Sequence, residues 1–208
     1  MNNALDKLIS IGSQELVSKS GSCPESWGGL KRDLYDLLAK KNGFYAFESS
    51  LLVRPLGESV TPLALERWNE SSLWKETYRL ELPELYFFAE DVFGGQFALI
   101  DEGIVSFDPE TGTLEKVAGS LDGWAKELLA DFDYFTGHSI ASSWQKAHGA
   151  LEIGDRLIPK QLFTLGGEFE VSNLICVNDV RGMRSRGFFA TALKDVPDGG
   201  QVSFELVE

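Results

Sequence analysis

The amino-acid sequence predicts an α+β protein, a twisted antiparallel sheet backed by helices, and three observations carry that prediction. Between Leu85 and Phe107, aromatic and β-branched runs of strand length are broken by Glu90-Asp91 with Gly94-Gly95, then by Asp101-Glu102-Gly103. The run closes in Asp108-Pro109-Glu110-Thr111-Gly112. That is the punctuation of a hairpin meander with one buried face. Before the meander, Leu30, Leu34, Leu37 and Leu38 fall on one helical face. After it, Leu121, Trp124, Ala125, Leu128, Leu129 and Phe132 do the same behind Ser120, a suitable N-cap.

Taken in order, Leu5, Leu8 and Ile9, then Leu16 and Val17, predict an N-terminal helix with a loose Ser-Lys-Ser-Gly-Ser connector. The helix through Leu30–Leu38 stops at Lys40-Lys41-Asn42-Gly43, where positive charge and a left-handed glycine suit a C-terminus. Phe44–Glu48 and Leu51–Pro55 read as short strands. Pro62 opens helical turns carrying Leu65, Trp68, Leu73 and Trp74, with Asn69 as a cap for the second. The meander runs to about Val117. Beyond Gly137, Ile140, Ala141, Trp144 and Ala147 form an amphipathic turn ending at His148-Gly149.

A strand-rich tail is then expected, with strands at Leu174–Val177, Gly187–Leu193 and Val202–Val207, the last two joined by Pro197-Asp198-Gly199-Gly200. Two echoing pentapeptides, Phe93-Gly94-Gly95-Gln96-Phe97 and Leu165-Gly166-Gly167-Glu168-Phe169, read as one device, a Gly-Gly that bends or bulges the chain where a strand starts. No long polar linker interrupts the pattern. Residues 1–208 are therefore expected to form a single domain, and 208 residues suffice for one well-buried core.

Composition narrows the function. With 43% apolar and 25% charged residues, the chain is expected to fold. Thirty-two acidic residues against nineteen basic give a net charge of -13, which repels nucleic acid and anionic membranes and attracts basic surfaces. No signal-peptide pattern opens the chain, and no apolar run reaches the roughly eighteen residues a membrane span needs, so the cytoplasm is the expected compartment. Cys23 and Cys176 stand outside any Cys-x-x-Cys or Cys/His grouping.

Each search for chemistry returns a structural reading. His138 and His148 do not fit the i,i+4 zinc spacing and are expected to flank a helix. The Gly-Gly pairs lack the Lys-Ser, Lys-Thr or Gly-x-Gly-x-x-Gly context of a phosphate cradle. Asp131-Phe132-Asp133 opens like a calcium loop, but Gly137 falls one place late and the bidentate Glu is missing. Ser139, Ser142 and Ser143 near His138 have no Gly-x-Ser-x-Gly frame, and Glu90 and Asp91 point to opposite faces of a strand. Arg181, Arg184 and Arg186 form a basic cluster expected to pair internally. No catalytic residue, metal or cofactor is expected. What stands out is aromatics beside acids, the composition of a protein interface for a basic partner.

The motifs also resemble a known group. Gly43-Phe44-Tyr45 with Phe47-Glu48-Ser49-Ser50-Leu51, Trp68-Asn69, Leu73-Trp74, Phe87-Phe88-Ala89-Glu90-Asp91-Val92-Phe93-Gly94-Gly95-Gln96-Phe97 and Phe107-Asp108-Pro109-Glu110-Thr111-Gly112 together resemble the SUKH superfamily. The resemblance covers about residues 27–137, with residues 138–208 as a C-terminal extension. It implies an α+β domain without shared catalytic residues, working as a bacterial immunity protein. Such a protein neutralises a cognate toxin, often a nuclease or deaminase delivered by contact-dependent or type VI secretion, by direct binding. The fungal relatives imply an alternative, a regulatory or scaffold protein linked to cell-wall assembly. Charge, absent chemistry and resemblance together point to an acidic and aromatic surface. Its expected contact residues are Glu90, Asp91, Asp108 and Glu110, with Trp68 and Trp74 as aromatic anchors, and its expected partner is the toxin or another basic protein.

Overall fold

A computed structural model describes residues 3–18, 21–57, 63–79, 85–197 and 200. It is an α+β fold built on a six-stranded, wholly antiparallel sheet in sequence order. The strands are β1 (Phe44–Ala46), β2 (Leu51–Val53), β3 (Tyr86–Asp91), β4 (Gln96–Ile100), β5 (Gly103–Phe107) and β6 (Leu114–Ala118). A separate two-stranded sheet pairs β7 (Asp155–Pro159) with β8 (Leu174–Asn178). The helices are α1 (Ala4–Ile11), α2 (Gly29–Lys40), α3 (Leu65–Trp68), α4 (Leu121–Ala130), α5 (Phe132–Thr136), α6 (His138–His148) and α7 (Asp179–Leu193), with a 3-10 turn at Lys75–Tyr78 and others at Phe163–Leu165 and Val171–Asn173.

The main sheet is covered on both faces, not one. On the first face, α1, α2 and α4 bury Leu8, Leu34, Leu38, Trp124 and Leu128 against Phe88, Phe97 and Ile104. Trp124 meets Phe88 and Phe97 edge-on, with ring centroids 5.0 and 5.6 Å apart. On the second face, Trp68, Trp74 and Tyr78 pack with Phe87 and Phe107, joined by Met183 and Ala190 of α7. Aromatic pairs of this kind contribute about 0.5–1.5 kcal/mol each beyond area burial. Double coverage explains why β3, β4 and β5 are buried almost continuously, where a one-faced sheet would alternate.

A bulge sets which side chains reach which face. The β3–β4 register runs Phe87↔Ala98 and then Ala89↔Phe97, leaving Phe88 as the extra residue. Phe87 therefore faces the second core while Phe88 and Ala89 both belong to the first, and Glu90, paired with Gln96, returns to the second side.

Several predicted elements hold their places: α2, β1, β2, the meander, α6, and α4, whose cap Ser120 accepts from the Gly123 amide. Others are corrected. Among the described residues of the extension, the strand expected at 187–193 is helix instead, continuing α7, which Asn178 caps by accepting from the Arg181 amide. Gly187 marks a close approach there rather than a strand, since a Cβ would strike Thr77 and Tyr78. Leu16 and Val17 lie beyond α1, and Phe132 begins α5 after α4 ends at Ala130. Asn69 caps no second turn; its amide brackets the Phe87 backbone, donating to the carbonyl at 2.7 Å and accepting from the amide at 2.9 Å. Gly166, left-handed at φ 82°, ends a 3-10 turn where no strand begins. Pro62 and the predicted strand at 202–207 lie outside the described residues, as do Asp198 and Gly199 of the predicted turn.

Candidate functional site

Glu90 and Asp91 end β3 on opposite sides, and each organises one of the two polar centres of the molecule. Glu90 is fully buried and accepts ion pairs from two guanidinium groups, Arg54 and Arg156, each at 2.7 Å. Arg54 also reaches Asp179 at the start of α7, at 3.2 Å, and its Cζ lies 3.3 Å from the centroid of the Trp68 ring. Gln96 closes the circuit: its amide donates to Glu90 at 2.9 Å, and its oxygen accepts from the Trp68 indole at 2.9 Å. Burial alone would raise the Glu90 carboxyl, but Arg156 and Arg54, with the Gln96 amide, overcome it and hold Glu90 below its ordinary value. Asp179 moves the other way, raised by burial and by the Glu90 charge against the pull of Arg54 and Arg156. This cluster is sealed from solvent. It ties the extension to the sheet and offers no entry to a substrate.

Asp91 faces a groove of about 640 Å³, within the usual range of ligand pockets. The groove lies between the β4–β6 end of the sheet, the α4–α5 region and the extension's segment around Phe163 to Phe169. Asp91 Oδ1 accepts from the amides of Phe93 and Gly95, both at 2.8 Å. Burial nevertheless raises its carboxyl to about 7, against the pull of those amides and of Arg186. The Gly94-Gly95 pair makes room for this arrangement. Gly94 is left-handed, a Cβ on it would strike the Arg186 guanidinium, and one on Gly95 would strike the Asp91 carboxylate.

Aromatic rings form the groove's far wall. Phe163 and Phe169 stack at 3.8 Å, and Phe93 meets both edge-on. Phe169 is 66% exposed, and Tyr134, also in the lining, is 75% exposed. Glu110 pins this wall to the sheet by accepting from the amides of Phe163 and Thr164 and from the Thr164 hydroxyl. Asp108 shapes the β5–β6 turn, accepting from the Glu110 amide and the Thr111 hydroxyl.

The six residues expected at a contact surface thus separate. Asp91, Asp108 and Glu110 come together in the groove. Trp68, Trp74 and Glu90 do not, and their placement on a surface is corrected: all three are fully buried, the tryptophans in the second core and Glu90 in its ion cluster. The cause is the second covered face, which turns side chains expected to meet solvent into interior ones. Phe163, Phe169, Glu115 and Glu127 also line the groove and are not among the contacts expected from sequence. The echo of Phe93-Gly-Gly in Leu165-Gly-Gly-Glu-Phe169 was the available signal, since both copies reach the same site.

The remaining candidates are structural. His138 starts α6 and lies 3.5 Å from Glu48, while His148 ends it and stacks on Trp144. Of the three arginines, Arg184 donates to the Leu73 carbonyl and Arg186 to those of Gly182 and Phe93; among the described residues none of the three is in an ion pair. Both cysteines are free. Among the described residues, no group of three or more His, Cys, Asp or Glu is placed to hold a metal, and no helix is long and apolar enough to cross a membrane.

No family model matches the chain, and no curated protein matches it. Among solved structures it is similar to Atu4351 from Agrobacterium tumefaciens, at 13% identity and a TM-score of 0.50, over 76% of this chain and 75% of that one. At that identity the likeness bears on the fold alone.

Proposed function

We propose that this chain acts by binding rather than by chemistry, as an immunity protein that neutralises a cognate toxin, in keeping with its resemblance to the SUKH superfamily. The observation that carries the reading is the groove: carboxylates and exposed aromatic rings share one concave surface on a chain of net charge -13. Aromatic anchors suit the centre of an interface, and acidic groups around them steer a basic partner. A toxin that handles nucleic acid presents such a basic surface. The other polar centre supports the reading by its closure, because its charges pair with one another and are almost wholly removed from solvent.

The test is direct binding between the purified chain and the product of the gene beside its own. Association is expected, with an on-rate that falls steeply as salt rises. No association with that product, or turnover of a small substrate by the purified chain, would overturn the reading.

A further inference from the structure

The chemistry of the groove is one-sided enough to select its occupant. Five carboxylates line it, Asp91, Asp108, Glu110, Glu115 and Glu127, against two cations, Lys116 and Arg186. Asp108 and Glu110 are committed to the fold through the turn and the pinned wall. Glu115 and Glu127 are exposed, and among the described residues neither carboxylate has an ion-pair or hydrogen-bond partner. The floor offers an anion little in exchange. Arg186 is 2% exposed and already donates to the Gly182 and Phe93 carbonyls and the Met183 sulfur. Lys116, exposed in the lining, is the cation left to an anion, and it stands beside two open carboxylates on a chain of net charge -13.

The aromatic wall favours the opposite charge. The faces of Phe and Tyr rings attract guanidinium and ammonium groups, and the stems of Arg and Lys pack on apolar surface. Arginine gains more, because its planar head also stacks on rings and pairs bidentately with carboxylates. We infer that the groove takes a short segment of a partner protein carrying an arginine or lysine between apolar residues, the cationic head against Glu115, Glu127 and the aromatic rim, the apolar neighbours along Phe93, Phe163 and Phe169. The inference rests on the binding role proposed above and names the chemistry at the contact.

The probe is the peptide acetyl-Leu-Arg-Phe-Arg-Leu-amide, titrated into the full chain while backbone amide resonances are followed, with citrulline replacing arginine in a neutral isosteric control. Saturable shifts are expected at Gly95, Phe97, Lys116 and Thr164, with the citrulline peptide about tenfold weaker. The double variant Glu115→Gln/Glu127→Gln is expected to remove most of that difference while keeping the amide spectrum of the folded chain. Shifts that are absent or lie elsewhere, or equal affinity for the two peptides, overturn the inference. A chain that takes the arginine peptide in the groove but ignores its neighbour's product would sink the toxin and keep the groove. The reverse outcome would keep the toxin and move its contact elsewhere.

Discussion

The ion cluster around Glu90 and the groove around Asp91 are built from the same residue types, yet they spend their charges in opposite ways. At Glu90, two guanidinium groups and two carboxylates are dry, close and ion-paired with one another, while Arg54 Nε and Arg156 Nη2 find no hydrogen-bond acceptor among the described residues. At Asp91, carboxylates outnumber cations, and two of them are exposed and without a partner among the described residues. Buried charges must find partners or shift their ionisation, whereas exposed ones remain available for another molecule. Acidity in a sequence therefore says little until it is known which acids the fold has already used.

The largest test of this contrast is Glu90→Gln. The variant keeps the shape but leaves Arg54 and Arg156 without their shared counter-charge, and is expected to cost about 3–5 kcal/mol in chemical denaturation. An unfolding midpoint equal to that of the parent chain would erase the distinction between the two centres. Next comes Glu110→Gln, an intermediate case in which a buried carboxylate holds two amides and a hydroxyl. It is expected to cost about 1–3 kcal/mol and to loosen the Phe163–Phe169 wall, read as faster hydrogen exchange at Phe163 and Thr164. Unchanged exchange there would show that the wall is held by its rings alone.

Asp91 gives a pH-dependent effect. Its carboxyl ionises at about 7 in the folded chain against an ordinary 3.8, so the folded state holds the proton more tightly than the unfolded one. Its contribution to stability is complete below about pH 4 and is lost as pH rises towards 7. Asp91→Asn, whose amide oxygen can still accept from Phe93 and Gly95, is expected to gain on the parent chain across that window. A constant difference between the two chains from pH 4 to 7 would contradict the shift. The smallest effect on stability belongs to Glu115→Gln and Glu127→Gln, each within about 0.5 kcal/mol, as for other surface substitutions. A larger loss on denaturation would show that these acids serve the fold after all.

Much of the sheet was legible because local patterns decide hairpins: the acid pair with Gly94-Gly95 and the Asp108–Gly112 turn punctuate strands wherever they occur. The helix from Leu121 was legible for the same reason, a serine cap ahead of an apolar stripe. The second covered face was not, because part of its cover, Met183 and Ala190, lies in a helix whose Gly187-Phe188-Phe189 run has the local look of a strand. That one misreading carried into the site. With a single buried face, Trp68, Trp74 and Glu90 had somewhere exposed to be; with two, they have none. The groove was half legible, since Asp91, Asp108 and Glu110 are close in sequence while Phe163 and Phe169 arrive from far along the chain.

Glu110's grip on Phe163 and Thr164 also bears on the order in which the molecule is made. Residues up to 137 contain the whole main sheet, but the aromatic wall, Arg156, Asp179 and Arg186 all follow. A ribosome that has released only the sheet has made Glu90 and Arg54 without their second partners and one side of a groove without the other. On the binding role proposed above, capture of a partner waits for the residues after 137, and a copy terminated before them has no assembled groove with which to compete for it.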